Sequence, residues 1–364
     1  MDKEIKSSYA EQIIREDAVH AANFATVDWE KLRGTSILVT GATGLIGSIL
    51  VKTLLQRNHM YRDDIQVYAL ARNPDKFERV FATYLNDPHL NALYQDIVDF
   101  QPGELKVDYI IHGASVTASR DFVKKPVTTI RTALIGSMNI LEFAKKSKAK
   151  GMVYLSSMEV YGMQDEPPKR PLKEEDLGSL NILEVRNCYP ESKRMVENMC
   201  VSYASETGIP MSIARLAQTF GAGVGYDDNR VFAYFARCVI EGKDIELLTS
   251  GESERMYVYT ADAVCAILLL LTNGSLGAYN VANPSTYSSI KEMAQLVLSF
   301  SENKHTKLVF KTTSINKGFL PTHHLRLDVS KLLALGWKPK FSLPVMYQRL
   351  IEYMEHFAPK ARRN

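Results

Sequence analysis

The chain has 364 residues, of which 46% are hydrophobic and 23% charged, and its formal net charge is +3. This balance is typical of an ordinary globular protein and unlike that of a disordered one. The small net charge indicates neither a nucleic acid nor an anionic membrane as partner. The four cysteines form no CxxC pair, which argues against a zinc site and a disulfide framework and fits a reducing cytoplasm.

Residues 1–34 predict a helical extension that packs on, or precedes, the main domain. Its charged beginning lacks the apolar core of a signal peptide, and Trp29 and Leu32 are candidate anchors to the domain. The most apolar run, residues 263–271, is about half the ~20 residues that a membrane-spanning helix needs, so we predict a buried helix there. We therefore expect a soluble, cytoplasmic protein.

From residue 36 onward, apolar runs rich in β-branched residues alternate with segments of helical periodicity. The candidate strands are 37–40, 65–70, 107–112 and 152–156, and the candidate helices are 45–55, 127–146 and 192–205. Alternating strands and helices imply βαβ units with a parallel sheet and right-handed crossovers. We therefore predict an α/β fold with a Rossmann-type doubly wound parallel sheet over residues 35–220.

After about residue 221 the alternation becomes looser. The candidate strands are 245–248, 257–259, 278–281 and 308–310, and the candidate helices are 290–300 and 344–357. This pattern predicts a smaller, mixed α/β part over residues 221–364, which we expect to be mainly substrate-binding. The stretch 164–175, rich in proline and charge, is predicted to be a surface loop.

The sequence SILVTGATGLIG, residues 36–47, places a strand, a glycine-rich turn and the start of a helix in the order that binds a dinucleotide. Gly41 permits the tight turn, Gly44 lets the backbone approach the pyrophosphate, and Gly47 allows the helix to pack closely on the strand. The helix N-terminus supplies free N–H groups and positive potential. We expect the cofactor to contact Gly41, Thr43, Gly44, Leu45, Ile46 and Gly47.

Arg72 stands at the end of the second predicted strand, next to Asn73. An acidic residue there would bind the adenosine ribose 2′-OH of NAD, whereas an arginine can accommodate the 2′-phosphate of NADP. NADP is therefore favoured over NAD, although Arg72 could instead stack on the adenine of NAD. Asp96 and Ile97, after the probable third strand, could reach the adenine ring.

Tyr189 and Lys193 are four residues apart and hence on one face of a helix, shortly after a predicted strand that leads to Ser157. A tyrosine with an unperturbed pKa near 10 is a poor base at neutral pH. A neighbouring ammonium and a positively charged nicotinamide would favour the phenolate and lower that pKa. Ser157 can hydrogen-bond the same substrate oxygen, so the three residues suit removal of a hydroxyl proton during hydride transfer. A YxxxK pair by itself can also be a solvated surface pair.

These motifs, together with residues 112–115 (HGAS), 154–162 (YLSSMEVYG), 215–221, 251–255 and 279–281, resemble the extended short-chain dehydrogenase/reductases. The resemblance is to the nucleotide-sugar epimerase, dehydratase and decarboxylase group and covers roughly residues 35–350. It implies NAD(P) in the N-terminal domain, with Gly113, Ala114 and Ser115 also at the cofactor, and a nucleoside-diphosphate sugar in the C-terminal part. It also implies a homodimer that pairs two helices per subunit, here 127–146 and 192–205.

By this resemblance Tyr189 is the base that oxidises the sugar, commonly at C4. Lys193 holds the nicotinamide ribose and tunes Tyr189, while Ser157 orients the hydroxyl. Arg255 pairs with the nucleotide diphosphate, a charge-assisted role that suits a guanidinium, and Arg230 is a second candidate for phosphate or uridine. A salt bridge at the rim with a neighbouring glutamate remains the alternative for Arg255.

Met158 and Glu159 occupy the positions where a dehydratase resembling the dTDP-glucose enzymes carries an Asp-Glu pair. A thioether cannot donate a proton, so 4,6-dehydration is disfavoured. Decarboxylases of the UDP-glucuronate type carry a glutamate at the position of Glu159, whereas an epimerase needs no acid there. Glu159 could equally be a structural carboxylate bonded to nearby backbone.

Further departures concern the substrate end. Gln218 and Ala133 each replace a usual asparagine, the first where the substrate diphosphate would lie. The 32 positions from Ser157 to Tyr189 predict an added lid or interface element over the sugar. The pair at 323–324 is predicted to be a polar surface turn rather than a metal site, and no metal is expected.

The sequence therefore favours an enzyme that modifies a nucleoside-diphosphate sugar through transient oxidation, with epimerisation or decarboxylation as the leading outcomes. Arg72 also allows an NADPH-dependent 4-ketosugar reductase, because reductases consume NADPH. A 4,6-dehydratase remains a further alternative. A non-catalytic, redox-sensing protein is disfavoured, since it would have no need of Ser157, Tyr189 and Lys193.

Overall fold

The computed structural model describes residues 2–164, 169–311 and 323–358, with side chains from residue 9 onward. The helices are α1 (Asp2–Ala22), α2 (Leu45–Tyr61), α3 (Pro74–Val80), α4 (Ser119–Lys124), α5 (Pro126–Ser147), α6 (Cys188–Thr207), α7 (Val231–Ile240), α8 (Thr260–Asn273), α9 (Ile290–Leu298), α10 (Ser330–Ala334) and α11 (Leu343–Glu355). The strands are β1 (Ser36–Thr40), β2 (Gln66–Ala71), β3 (Leu90–Tyr94), β4 (Tyr109–His112), β5 (Gly151–Ser157), β6 (Met211–Leu216), β7 (Gln218–Phe220), β8 (Ile245–Leu247), β9 (Glu254–Tyr259), β10 (Gly277–Val281), β11 (Asn283–Ser289), β12 (Leu308–Phe310) and β13 (His324–Leu325).

The main sheet has seven strands in the order β10-β6-β5-β4-β1-β2-β3, and every neighbouring pair is parallel. Its central strands are apolar because both faces are covered: Ile37, Leu38 and Val39 are completely buried. The chain moves from β1 to β2 in one direction and returns to β4 on the other side of β1. Ligands of doubly wound sheets bind outside the strand ends at such a reversal. The predicted Rossmann-type fold is confirmed.

Strand β10 corrects the predicted organisation of the C-terminal part. Residues 278–281 were assigned to the smaller part, but β10 pairs with β6 at the edge of the main sheet, so that placement is wrong. Helix α8, which precedes it, is buried from Thr260 to Thr272 and packs against β4, β5 and β6. The predicted buried helix at 263–271 is thereby confirmed. Within the described ranges, no helix is long and apolar enough to cross a membrane.

The smaller part contains a sheet in which β9 pairs with β7, β11 and β13, and a separate β8–β12 pair. Its core forms around Phe220, Phe232 and Tyr347, all fully buried. The predicted surface turn at 323–324 is wrong, because His324 begins β13 and pairs with β9. Of the predicted loop 164–175, residues 165–168 lie outside the described residues, and Leu172 is buried.

The N-terminal extension packs on the main domain. Helix α1 contacts α2, α8 and α11, and both predicted anchors, Trp29 and Leu32, are buried. Asp17 ties α1 to the rest of the protein, since it accepts hydrogen bonds from Tyr259 (2.7 Å) and Arg349 (2.8 Å). Burial raises the pKa of Asp17 to about 6, against the opposing effect of Arg349. This helix is therefore positioned to form part of the ligand-binding wall.

Candidate functional site

A cavity of about 2160 Å³ lies at the carboxyl ends of the main-sheet strands and extends to the smaller part. Most of the residues singled out from the sequence line it: Gly41, Thr43, Gly44, Leu45, Ile46, Gly47, Arg72, Asp96, Ile97, Gly113, Ala114, Ser115, Ser157, Glu159, Tyr189, Lys193, Gln218, Arg230 and Arg255. Residues of α1, including Glu11 and Arg15, also line it, a contribution that the sequence analysis missed. Asn73 and Ala133 are not among the lining residues.

The glycine loop forms a close backbone cradle at the start of α2. Gly41 has φ of +69°, and a Cβ at Gly47 would lie 2.3 Å from the carbonyl oxygen of Gly41. Gly44 is the N-cap of α2 and offers no side-chain cap, so the first N–H groups of the helix remain for a ligand in the cavity. A side chain at Gly41 or Gly47 would fill this cradle, and the residues present therefore fit a dinucleotide pyrophosphate.

At the end of β2, Arg72 extends into solvent and its side chain is 66% exposed. Its Nη1 lies 3.5 Å from Oδ2 of Asp96, and Asp96 also accepts a hydrogen bond from the N–H of Val98. Asn73 instead accepts a hydrogen bond from the N–H of Lys76 and caps α3. The predicted cofactor contact of Asn73 is therefore not supported, because its side chain serves the helix.

Tyr189 and Lys193 lie on the buried face of α6, with 8% and 3% of their surface exposed. The Nζ of Lys193 donates a hydrogen bond to the carbonyl of Leu155 (2.7 Å) and lies 5.7 Å from the ring centroid of Tyr189. The ring of Phe122 stacks on Tyr189 at a centroid distance of 4.2 Å, a contact that the sequence did not predict. The alternative of a solvated surface pair is thereby excluded.

The protein environment favours the neutral forms of both side chains. Burial raises the pKa of Tyr189 well above its usual value, Glu159 raises it further, and the hydrogen bond with Ser157 and the charge of Arg186 lower it. Burial lowers the pKa of Lys193 to about 8. The expected lowering of the Tyr189 pKa is thus absent in the protein by itself, because desolvation outweighs the nearby positive charges.

A buried ion pair supports α6 behind the catalytic candidates. Glu197 lies one turn after Lys193 and pairs with Arg215 of β6 at 2.7 Å. Ser156 donates a hydrogen bond to Glu197 at 2.5 Å. This network links β5, β6 and α6, so it holds the strand that leads to Ser157 against the helix that carries Tyr189. The glutamate eight residues after Tyr189, on the same helical face, was its sequence signal.

Glu159 pairs with a cation that the sequence analysis overlooked. Nη1 of Arg186 lies 3.0 Å from Oε2 of Glu159, and their side chains are 25% and 28% exposed. No hydrogen bond from backbone to this carboxylate occurs among the described residues, so the alternative of a backbone-bonded structural carboxylate is not supported. Arg186 stands three residues before Tyr189, and this proximity was the available signal.

The other end of the cavity carries two guanidinium groups. Arg230 is held by Asp228, with Nη2 and Oδ2 2.6 Å apart. Arg255, on β9, forms no ion pair with any described residue, and its Nε is buried without a partner. Glu254, its suspected partner at the rim, instead accepts hydrogen bonds from Tyr287 and His324. Arg255 is therefore available to an anionic ligand.

Two predictions at this site remain open or concern absences. In the segment from Ser157 to Tyr189, Ile182 and Leu183 are 76% and 88% exposed, and its role as a lid stays a prediction. Over the described part of the chain, no group of three or more His, Cys, Asp or Glu side chains could hold a metal ion.

The family model described as "NAD dependent epimerase/dehydratase family" matches residues 37–282. UDP-glucuronic acid decarboxylase 1 of Danio rerio is 30% identical over 344 residues, which cover 90% of this chain and 77% of the relative. The solved UDP-glucose 4-epimerase of Thermotoga maritima has a TM-score of 0.73 at 24% identity, covering 87% of this chain and 98% of that structure. UDP-glucuronic acid 4-epimerase of Bacillus cereus, solved in complex with NAD, has a TM-score of 0.72 at 21% identity, covering 88% and 99%. At these identities the two structures show the shared fold.

Proposed function

This chain belongs to the NAD-dependent epimerase/dehydratase family, and we propose that it decarboxylates a nucleoside-diphosphate uronic acid after oxidising a sugar hydroxyl, at C4. The meeting of Ser157, Tyr189 and Lys193 with Glu159 in one cavity carries this proposal. Met158, which is buried and has no acidic proton, argues against dehydration. The relatives named as UDP-glucuronic acid decarboxylases, at about 30% identity, favour decarboxylation over epimerisation.

In this proposal the chain positions the sugar and moves one proton. Ser157 and Tyr189 bind the hydroxyl to be oxidised, and the phenolate oxygen of Tyr189 takes its proton. Lys193, fixed by the carbonyl of Leu155, places a positive charge beside the phenol and favours its ionised form. A bound nicotinamide supplies the hydride acceptor and later returns the hydride.

The sugar nucleotide is proposed to lie between the main sheet and the smaller one. Arg255 would bind the diphosphate, because its buried Nε lacks a partner in the protein and a guanidinium suits bidentate contact with phosphate. Gln218 and Arg230 line the same end of the cavity. We accordingly assign the cofactor chiefly to residues 35–220 and the sugar nucleotide chiefly to residues 221–364, apart from α8 and β10 in the main sheet.

The net reaction is tested by incubating the purified protein with NAD and UDP-glucuronate, UDP-glucose or UDP-N-acetylglucosamine. We expect UDP-glucuronate to give a UDP-pentose and carbon dioxide, detected by mass spectrometry and by release of ¹⁴CO₂ from the labelled carboxyl. A product of unchanged mass would instead establish epimerisation. Stoichiometric NADPH consumption with a 4-ketosugar would establish a reductase and contradict the recycling of the cofactor.

For the cofactor we propose NADP over NAD. Arg72, Lys76 and Arg79 line the cavity near the end of β2, where the adenosine ribose of a Rossmann-bound dinucleotide lies. None of these three cations faces an ion-pair partner among the described residues other than Asp96, at 3.5 Å from Arg72. Their combined charge suits a 2′-phosphate.

We also propose a homodimer formed by α5 and α6. These helices pack side by side and expose apolar side chains: Val127, Ile130 and Met138 on α5, and Met195 and Val201 on α6. Contiguous exposed apolar surface of this kind marks interaction sites. We expect light scattering to give twice the chain mass, and Met138→Lys with Met195→Lys to give the monomer mass. The control Leu333→Lys, on exposed α10, should remain dimeric; a dimer that persists in the double variant would contradict this interface.

A further inference from the structure

The wall of the cavity beside Tyr189 is a charge pair on aromatic side chains. The guanidinium of Arg186 lies 3.0 Å from Glu159 and 6.0 Å from the ring centroid of Phe122. Phe122 is itself stacked on the ring of Tyr189, at an interplanar angle of 7°. Arg186 and Glu159 therefore stand next to the phenol that is proposed to bind the reacting hydroxyl.

Arg186 retains binding capacity toward the cavity. A guanidinium has five N–H donors, and the one ion pair of Arg186 with a described residue is through Nη1 to Glu159. The other cations near Tyr189 are committed: Lys193 donates to Leu155, and Arg230 pairs with Asp228 through Nε and Nη2. Arg186 is thus the cation near Tyr189 with free donors beside a carboxylate.

The carbon that bears the reacting hydroxyl has a neighbour whose substituent faces this wall. If that substituent is neutral, the Arg186–Glu159 pair already balances its own charge. If it is a carboxylate, two carboxylates meet, and only a shared cation offsets their repulsion. The planar fork of arginine can bridge two carboxylates, which a lysine ammonium does less well.

We propose that Arg186 determines specificity by binding the carboxylate of a uronic acid substrate, in competition with Glu159. This inference rests on the proposed function and assigns its substrate class to a particular pair. Competition from Glu159 keeps the substrate carboxylate from being held too tightly, which matters because strong binding of the ground state alone would slow the reaction. Glu159 and Arg186 therefore have opposite effects on affinity for a uronate.

The test measures binding of UDP-glucuronate and UDP-glucose to the cofactor-loaded protein by titration calorimetry. Arg186→Met should weaken UDP-glucuronate binding about 10- to 100-fold, the range for loss of a charge-assisted hydrogen bond, and change UDP-glucose binding less than about 3-fold. Glu159→Gln should strengthen UDP-glucuronate binding, since it releases the guanidinium. Arg186→Lys should give an intermediate loss, and Arg120→Met, at an exposed site outside the cavity lining, should change neither affinity.

Opposite signs for Arg186→Met and Glu159→Gln are the result that a merely structural ion pair would not produce. Equal losses for both ligands in Arg186→Met, or weaker UDP-glucuronate binding in Glu159→Gln, would overturn the assignment of Arg186 while leaving the proposed function intact. Failure of the unaltered protein to bind either ligand would overturn the proposed function together with this inference. Binding rather than turnover is measured because Glu159 is itself a candidate catalytic residue.

Discussion

Tyr189→Phe should lower kcat by about 1000-fold while leaving the affinity for the dinucleotide within about 2-fold. The substitution removes one buried hydroxyl and keeps the ring that stacks on Phe122, so the fold of the site is preserved. General-base catalysis is worth about 10²- to 10⁴-fold, and a 1000-fold loss corresponds to about 4 kcal/mol of transition-state stabilisation. Initial rates with the substrate found in the product assay, and cofactor titration by fluorescence, give the two quantities.

Tyr61→Phe is a suitable control, because Tyr61 is 44% exposed and its hydroxyl bonds Asn23 far from the cavity. It should leave kcat unchanged. Unchanged turnover in Tyr189→Phe would refute the assignment of Tyr189 as the base. A parallel loss of dinucleotide binding would instead show that Tyr189 acts through the cofactor site.

Arg72→Asp should weaken NADP binding by about 100-fold and change NAD binding by less than about 3-fold. A charge-assisted hydrogen bond to a phosphate contributes about 1.5–3 kcal/mol, and the new carboxylate repels the 2′-phosphate while it can accept a hydrogen bond from the ribose 2′-OH of NAD. Arg72 is exposed, so the fold should tolerate the change. Fluorescence titration with each dinucleotide measures both affinities.

Lys106→Asp changes the net charge equally at another exposed position that does not line the cavity, and it controls for long-range electrostatics. Arg72→Met separates loss of the cation from the added carboxylate and should weaken NADP binding less than Arg72→Asp does. Equal losses for NADP and NAD in Arg72→Asp would show that Arg72 contacts the part common to both cofactors. The proposed preference for NADP would then be wrong.

Periodicity predicted the main sheet because local sequence determines which segments are strands and helices. The apolar runs at 37–40 and 152–156 correspond to β1 and β5 within one residue at each end. Partnering is a different matter, since the strand at 278–281 has the same local pattern whichever sheet it joins. Its pairing with β6 depends on α8 leading the chain back across the main sheet.

The sequence by itself determined the glycine loop and the shared face of Tyr189 and Lys193, because both depend on spacing within one turn or one helix. Only the tertiary structure brought Arg186 to Glu159, because that contact joins the end of a long loop to the turn after β5. Only the tertiary structure likewise left Arg255 without the expected glutamate, which β11 and β13 engage through Tyr287 and His324. Charges find partners through three-dimensional packing, and linear spacing constrains that packing only over short separations.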